Sequence, residues 1–232
     1  MSHRLGIDLG GTKIEAAIID DQLQAVKRKR VPTDRDNGYE SIIKKIISLS
    51  KSMISEYGDF EGPIGICTPG TIEAETGLLK NSNTVCLIGK PIQRDIELQL
   101  GVPVLMENDA NCFALAEATL GAGKKYNVVF GVILGTGCGG GITMHKNIHR
   151  GANRIAGEWG HHCLYPEGRK CYCGNQGCIE SYISGTALEN EWYELTGENR
   201  RVTDIINSGL HKKRPEWKAN FLKNFGRGLA NV

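Results

Sequence analysis

Leu5-Gly6-Ile7-Asp8-Leu9-Gly10-Gly11-Thr12-Lys13-Ile14 reads as a strand, a glycine turn and a second strand. The pattern returns where Val128 to Leu134 runs into Gly135-Thr136-Gly137-Cys138-Gly139-Gly140-Gly141. Adjacent glycines let backbone N–H groups approach phosphate oxygens closely, and Thr12 adds a hydroxyl. Asp8, at the end of its strand, is placed to hold a Mg²⁺ ion or its water shell. An ordinary hairpin turn needs only Asn-Gly or Asp-Gly, so Gly10-Gly11-Thr12-Lys13 is read as a phosphate loop. The second loop contains G-x-G-x-x-G, the dinucleotide fingerprint, but that fingerprint needs a helix next. Ile142-Thr143-Met144 continues as a strand instead, and G-x-x-x-x-G-K-[ST] occurs nowhere. Two phosphate-cradling hairpins, one per half, imply a nucleotide clasped between two lobes.

Outward from the first loop, residues 4–32 read as a β-meander, with strands at Leu5–Ile7, Ile14–Ile19 and Ala25–Val31. Tyr39, Ile42, Ile43, Ile46, Ile47, Ser50, Met53, Ile54 and Tyr57 then recur at helical spacing, with Asp36 or Asn37 as the cap. Pro63 to Cys67 is a short buried strand, residues 91–100 a helix, and Val102 to Met106 another strand. A helix from about Asp109 runs out at Gly121-Ala122-Gly123, a hinge that divides the chain into lobes 1–121 and 122–232. Strands alternating with helices in each half give an α/β fold.

The chain's 232 residues suit two domains, and 40% hydrophobic against 23% charged residues is enough for a core. With 28 basic and 26 acidic residues the net charge is +2, which argues against a nucleic-acid binder. Lys27-Arg28-Lys29-Arg30 is read as a solvated strand face. No apolar run is long enough for a membrane span, and no secretory signal precedes the first strand. Five of the eight cysteines are scattered, whereas Cys171, Cys173 and Cys178 crowd together near His161, a metal-site pattern of a reducing compartment. The expected location is cytoplasmic.

Between the loops, Glu107-Asn108-Asp109-Ala110-Asn111 marks a strand giving way to a helix. Asp109, in the positive field of the helix terminus, is expected to stay ionised near neutral pH. Phosphoryl transfer to an alcohol needs such a carboxylate to accept the hydroxyl proton. His161 with Cys171, Cys173 and Cys178 makes a closed Cys₃His set suited to structural Zn²⁺, with His162 as a competing ligand. Glu158 and Glu180 flank this cluster and are suited to hydrogen-bonding vicinal hydroxyls.

These motifs, together with Gly157-Glu158-Trp159-Gly160-His161 and the Cys171-to-Glu180 block, resemble the ROK family of repressors, open reading frames and kinases. The resemblance runs from about residue 4 to the end of the chain. It implies a two-lobed actin-like, ribonuclease-H-like sugar kinase fold with ATP and sugar in the cleft. On that analogy Asp109 is the catalytic base, and Asn83, Asn108, Asp109, Glu158, His161 and Glu180 contact sugar. His161 then serves twice, one ring nitrogen on zinc and the other toward a hydroxyl. Asp8, Gly10, Gly11, Thr12, Lys13, Gly135, Thr136 and Gly137 hold nucleotide phosphates, with Mg²⁺ accompanying ATP. Gly157 to His161 and Cys171 to Thr186 are most similar to bacterial fructokinases with mannokinase activity. The expected reaction is therefore phosphorylation of a hexose 6-hydroxyl, fructose ahead of mannose or glucose. Glucokinases and N-acetylhexosamine kinases share most of the same positions.

A sugar-responsive repressor resembles this chain preceded by a helix-turn-helix domain, for which a phosphate loop starting at Asp8 leaves no room. A non-catalytic sugar-binding module is the remaining rival, separated from a kinase by ATP consumption. The expected partners are ATP and a hexose, with a homodimer at full length and neither nucleic acid nor membrane. At the other end, Trp217, Phe221, Leu222, Phe225, Leu229 and Val232 recur at helical spacing up to the last residue without a glycine cap or polar fade. That pattern predicts a truncated C-terminus, with the last helix's apolar face incompletely covered.

Overall fold

The computed structural model describes residues 3–58, 60 and 62–232. It divides into two compact units, Met1–Cys112 and Phe113–Val232.

The first unit opens on the meander β1 (Arg4–Leu9), β2 (Lys13–Ile19) and β3 (Ala25–Pro32). Helix α1 (Gly38–Tyr57) follows, then β4 (Ile64–Thr68), the small ribbon β5 (Thr71–Ile72) and β6 (Leu79–Lys80), α2 (Ile92–Leu100) and β7 (Val104–Asn108). The main sheet has the order β3-β2-β1-β4-β7; the meander is antiparallel, and β1, β4 and β7 run parallel. Alternation along the strands buries Leu5, Ile7, Leu9, Ile14, Ala16, Ile18, Ile64 and Ile66 in one core with Ile42, Ile43, Ile46 and Met53 of α1. Asn37 stands at the N-cap of α1, yet its side chain makes no capping hydrogen bond, and Asp36 lies in a 3₁₀ turn ahead of it. The backbone of that turn orders the entry, so the side-chain cap expected there is not made.

The basic run lies on the edge strand β3, as a charged and exposed face. Arg28 and Arg30 pair with Glu15, while Lys27 and Lys29 pair with Glu56. Four cations along an unpaired strand edge discourage addition of another strand.

Helix α3 (Asp109–Thr119) carries the chain out of the first unit. The division falls inside this helix, earlier than the glycine stretch 121–123, because its later turns pack on the second unit's sheet. A Cβ on Gly131 would lie 2.8 Å from Ala114, and one on Gly123 2.8 Å from Val129. That sheet is β8 (Val128–Leu134), β9 (Cys138–Met144) and β10 (Asn147–Ile148), antiparallel in the order β10-β9-β8. Residues 149–179 contain no regular helix or strand; they carry only the bridges Cys163–Cys178 and Lys170–Gln176. Helices α4 (Glu180–Ile183), α5 (Gly185–Thr196), α6 (Val202–Asn207) and α7 (Pro215–Leu229) complete the unit.

On α7, Trp217 is buried edge-on against Trp192, and its indole N–H donates to the Leu188 carbonyl at 2.9 Å. Phe221 and Phe225 stack on each other and are partly buried, while Leu222 and Leu229 are exposed. The apolar stripe is thus covered along one flank only. Among the described residues no helix is long and apolar enough to cross a membrane.

Candidate functional site

In the first unit the glycine loop joins β1 to β2, closed by the Leu9–Ile14 pair. The Gly10 N–H donates to the Lys13 carbonyl at 2.9 Å, and the buried Thr33 braces the loop through its hydroxyl to the Gly10 carbonyl at 2.7 Å. The amides of Gly11 and Thr12 have no hydrogen-bond partner among the described residues, so two N–H donors remain beside the Thr12 hydroxyl. A Cβ on Gly11 would lie 3.7 Å from Asn83 Oδ1, which places Asn83 next to this loop. Asp8 shares its register with Glu15 on one side and Cys67 on the other. Burial, and then the charge of Glu15, hold its carboxyl above the usual carboxylate range.

Asn108 ends β7 and caps α3. Its Oδ1 accepts from the Ala110 N–H at 2.9 Å and the Asn111 N–H at 3.2 Å, and its Nδ2 donates to the Gly70 carbonyl at 3.2 Å. The side chain that the family resemblance assigns to sugar also clamps Asp109 at the helix start, using one of the two N–H groups of Nδ2. Asp109 Oδ1 accepts from the Ala110 N–H at 2.8 Å. The helix amide favours the ionised form, as expected from the macrodipole, but burial outweighs it and Asp8 adds repulsion. The Asp109 carboxyl consequently sits above the usual range. The residue keeps contact with solvent; its lost hydration comes from protein crowding round the carboxylate. Asn111 donates to Glu107 Oε1 at 3.0 Å, and its buried Oδ1 has no partner. No sequence pattern gives Asn111 a role, because an unpartnered buried acceptor is visible only in three dimensions.

In the second unit the ligand atoms of His161, Cys171, Cys173 and Cys178 lie within 4.8 Å of one another, and His162 is not among them. Cys171 Sγ is 3.6 Å from His161 Nδ1, and Cys173 Sγ is 3.7 Å from Cys178 Sγ. A tetrahedral zinc with ordinary bond lengths has edges of about 3.6 Å between sulfur and nitrogen and about 3.8 Å between sulfurs, so these two separations fit a zinc. Without a cation, burial and the two neighbouring thiols push Cys178 up to about 12. A metal reverses that logic by stabilising the thiolates. His161 Nε2 meets the Tyr172 hydroxyl at 3.2 Å, where the sequence reading placed a sugar hydroxyl. Glu158 is half-buried beside the buried Trp159, whose indole N–H donates to the Gly139 carbonyl at 2.9 Å.

The second glycine loop joins β8 to β9, and its Gly135 N–H donates to the Gly137 carbonyl at 3.0 Å. Again the next two amides, of Thr136 and Gly137, have no partner among the described residues. Glu180 is buried, and its Oε2 accepts from the Cys138 N–H at 2.8 Å.

The model of the ROK family matches residues 4–232. The chain belongs to the ROK family. It is 38% identical over 212 residues to an N-acetyl-D-glucosamine kinase of Haemophilus influenzae, covering 87% of this chain and 69% of that protein. An N-acetyl-D-glucosamine kinase of Vibrio cholerae is 38% identical over 92% of this chain and 72% of its own length. Among solved structures, a ROK-family glucokinase of Streptomyces griseus in complex with glucose and AMPPNP superposes with a TM-score of 0.80 at 28% identity. It covers 99% of this chain and 78% of that one. The mixed α/β architecture is that of the ROK sugar kinases. A preference for fructose finds no support in these relatives. The fructose expectation rested on short motifs, whereas the likeness to the N-acetyl-D-glucosamine kinases spans 87% and 92% of this chain.

Within this ROK chain the tightest backbone approach is at Gly177. Its φ is +72°, and a Cβ there would lie 1.7 Å from the Tyr165 carbonyl oxygen. Gly177→Ala should therefore disrupt the segment that brings Cys178 to His161. The expected outcome is a melting temperature lowered by several degrees, or an insoluble chain, while Gly174→Ala, with a φ of +92° but an open Cβ position, meets the backbone strain without the clash and costs less.

Proposed function

We propose that this ROK-family sugar kinase transfers the γ-phosphoryl group of ATP to the 6-hydroxyl of an N-acetylhexosamine, N-acetyl-D-glucosamine first. The reading is carried by the likeness to the N-acetyl-D-glucosamine kinases over nearly the whole chain. The geometry of each unit supports the chemistry. Asp109, clamped by Asn108 and raised in basicity by the lost hydration of its carboxylate, takes the proton of the attacking hydroxyl as its oxygen bonds to phosphorus and the β–γ bridge breaks. The free amides of Gly11, Thr12, Thr136 and Gly137 are donors for phosphate oxygens, with Lys13 nearby as a positive charge. Mg²⁺ arriving with ATP supplies charge neutralisation, and Asp8 is the carboxylate that would hold it or its waters. Asn83, Asn108, Glu158, His161 and Glu180 supply sugar contacts, His161 once its Nε2 exchanges the Tyr172 hydroxyl for one of the sugar. Zinc bound by His161, Cys171, Cys173 and Cys178 would order the segment carrying three of these side chains, a structural rather than chemical part.

A panel of hexoses with coupled ADP detection tests the sugar. N-acetyl-D-glucosamine should give the highest kcat/KM; a lead for fructose, mannose or glucose would overturn the substrate, and no ADP release with any sugar would overturn the activity.

Asp109→Asn should lower kcat by about 10²–10⁴-fold and leave sugar affinity within a few-fold. A base works only when deprotonated, so the wild-type rate rises with pH through the Asp109 pKa. Because that pKa is raised, the acid limb of kcat/KM should lie above the ordinary aspartate value of about 3.9. A folded Asn variant with wild-type turnover would make Asp109 a mere helix-start residue.

The purified chain should carry one zinc by elemental analysis. Cys173→Ser should lose it and open residues 161–178 to proteolysis, a readout independent of catalysis.

A further inference from the structure

The second glycine loop is held in a way that its own sequence does not explain. A trans peptide points its C=O and the following N–H in opposite directions. The Gly135 carbonyl accepts from the Gly185 N–H at 2.7 Å, which turns the Thr136 N–H away from α5. The Thr136 carbonyl accepts from the Thr186 hydroxyl at 2.9 Å, which turns the Gly137 N–H away as well. The Gly137 carbonyl is taken by the Gly135 N–H, and the next amide, Cys138 N–H, goes to Glu180 Oε2 at 2.8 Å. Every peptide of the loop is thus tied, and the two N–H groups left over belong to Thr136 and Gly137.

Glu180 is the charged member of this brace, and it is fixed from behind. Its own N–H donates to the Gly160 carbonyl at 2.8 Å, and it follows Cys178 by two residues. Its carboxylate lies against the loop so closely that a Cβ on Gly137 would be 2.6 Å from Oε2. On the same wall, a Cβ on Gly160 would lie 2.0 Å from the Cys138 carbonyl oxygen. A buried carboxylate accepting a backbone N–H forms a strong, charge-assisted bond, and its length sets where the acceptor reaches.

We propose that Glu180, besides any contact with sugar, is a positioning residue for nucleotide: through Cys138 N–H it fixes the end of the loop whose Thr136 and Gly137 amides, turned outward by Gly185 and Thr186, meet the phosphates. The proposal rests on reading residues 135–137 as a phosphate loop. It makes one side chain answer for both ligands of the kinase, sugar through the carboxylate and nucleotide through the loop it holds.

The test is calorimetric binding of Mg·AMPPNP to the sugar-free chain and of N-acetyl-D-glucosamine to the nucleotide-free chain, for wild type, Glu180→Asp and Glu180→Gln. Aspartate keeps the charge but withdraws the acceptor by one methylene; glutamine keeps an acceptor oxygen at the original reach. Glu180→Asp should lose on the order of tenfold in Mg·AMPPNP affinity, the fold-change of a lost hydrogen bond to a charged group. Glu180→Gln should stay within about threefold, because the bond to the amide survives with less strength. A residue that only binds sugar would shift the sugar isotherms and leave both nucleotide isotherms at the wild-type value, which overturns the proposal. A loss in Glu180→Gln as large as in Glu180→Asp also overturns it, since reach would then not matter. Should Glu180→Asp be too unstable to assay, Glu180→Ala, which removes the acceptor altogether, takes its place with the same expected loss, and a wild-type nucleotide isotherm for it overturns the proposal. Wild type that binds no Mg·AMPPNP would instead sink the phosphate-loop reading itself.

Discussion

A peptide group cannot turn its N–H without turning its C=O the other way, and both glycine loops of this chain depend on that constraint. In each, the first glycine closes the turn with its own N–H, through Gly10 to Lys13 and Gly135 to Gly137. In each, the two following amides are left as donors. The surroundings do the aiming. Thr33 holds the first loop by its hydroxyl, and Glu180, Gly185 and Thr186 hold the second. Preorganised donors of this kind stabilise phosphate charge without having to reorganise when the ligand arrives.

The same economy governs Asp109. Its position is set by Asn108, which spends its amide oxygen on the α3 amides and its amide nitrogen on Gly70. The helix terminus alone would lower the carboxyl's proton affinity, yet lost hydration and the nearby Asp8 raise it. A carboxylate raised in this way is a better proton acceptor than an exposed one and still ionises below neutral pH when the shift is modest.

The segment 149–179 has almost no regular structure of its own. What gives it shape is Trp159, buried against Phe130 and Phe225, the glycines that permit close backbone crossings, and the four gathered metal-type ligands. Glu180 follows directly from that segment, so the order of the cluster and the order of the second loop are parts of one structure.

The order of residues alone shows the alternating strands, the helical stripe of α1, the two strand–glycine–strand repeats and the crowding of three cysteines near His161. Each of these is a local pattern, carried by period, by turn chemistry or by ligand spacing within a few residues. It also excluded a dinucleotide fold, because a strand rather than a helix follows Gly141, and β9 runs there. The preference between sugars was not legible: the fructokinase-like reading of Gly157–His161 and Cys171–Thr186 finds no support in the N-acetyl-D-glucosamine kinases to which the chain is similar. What folding adds is the gathering of His161 rather than His162 with the three cysteines, the capping duty of Asn108, the raised carboxyl of Asp109 and the bond from Glu180 to the Cys138 amide. Glu180 and Cys138 are 42 residues apart, and no spacing rule reaches that far. Hydrogen-bond partners and lost hydration are properties of what the folded chain brings together, and those the linear order does not contain.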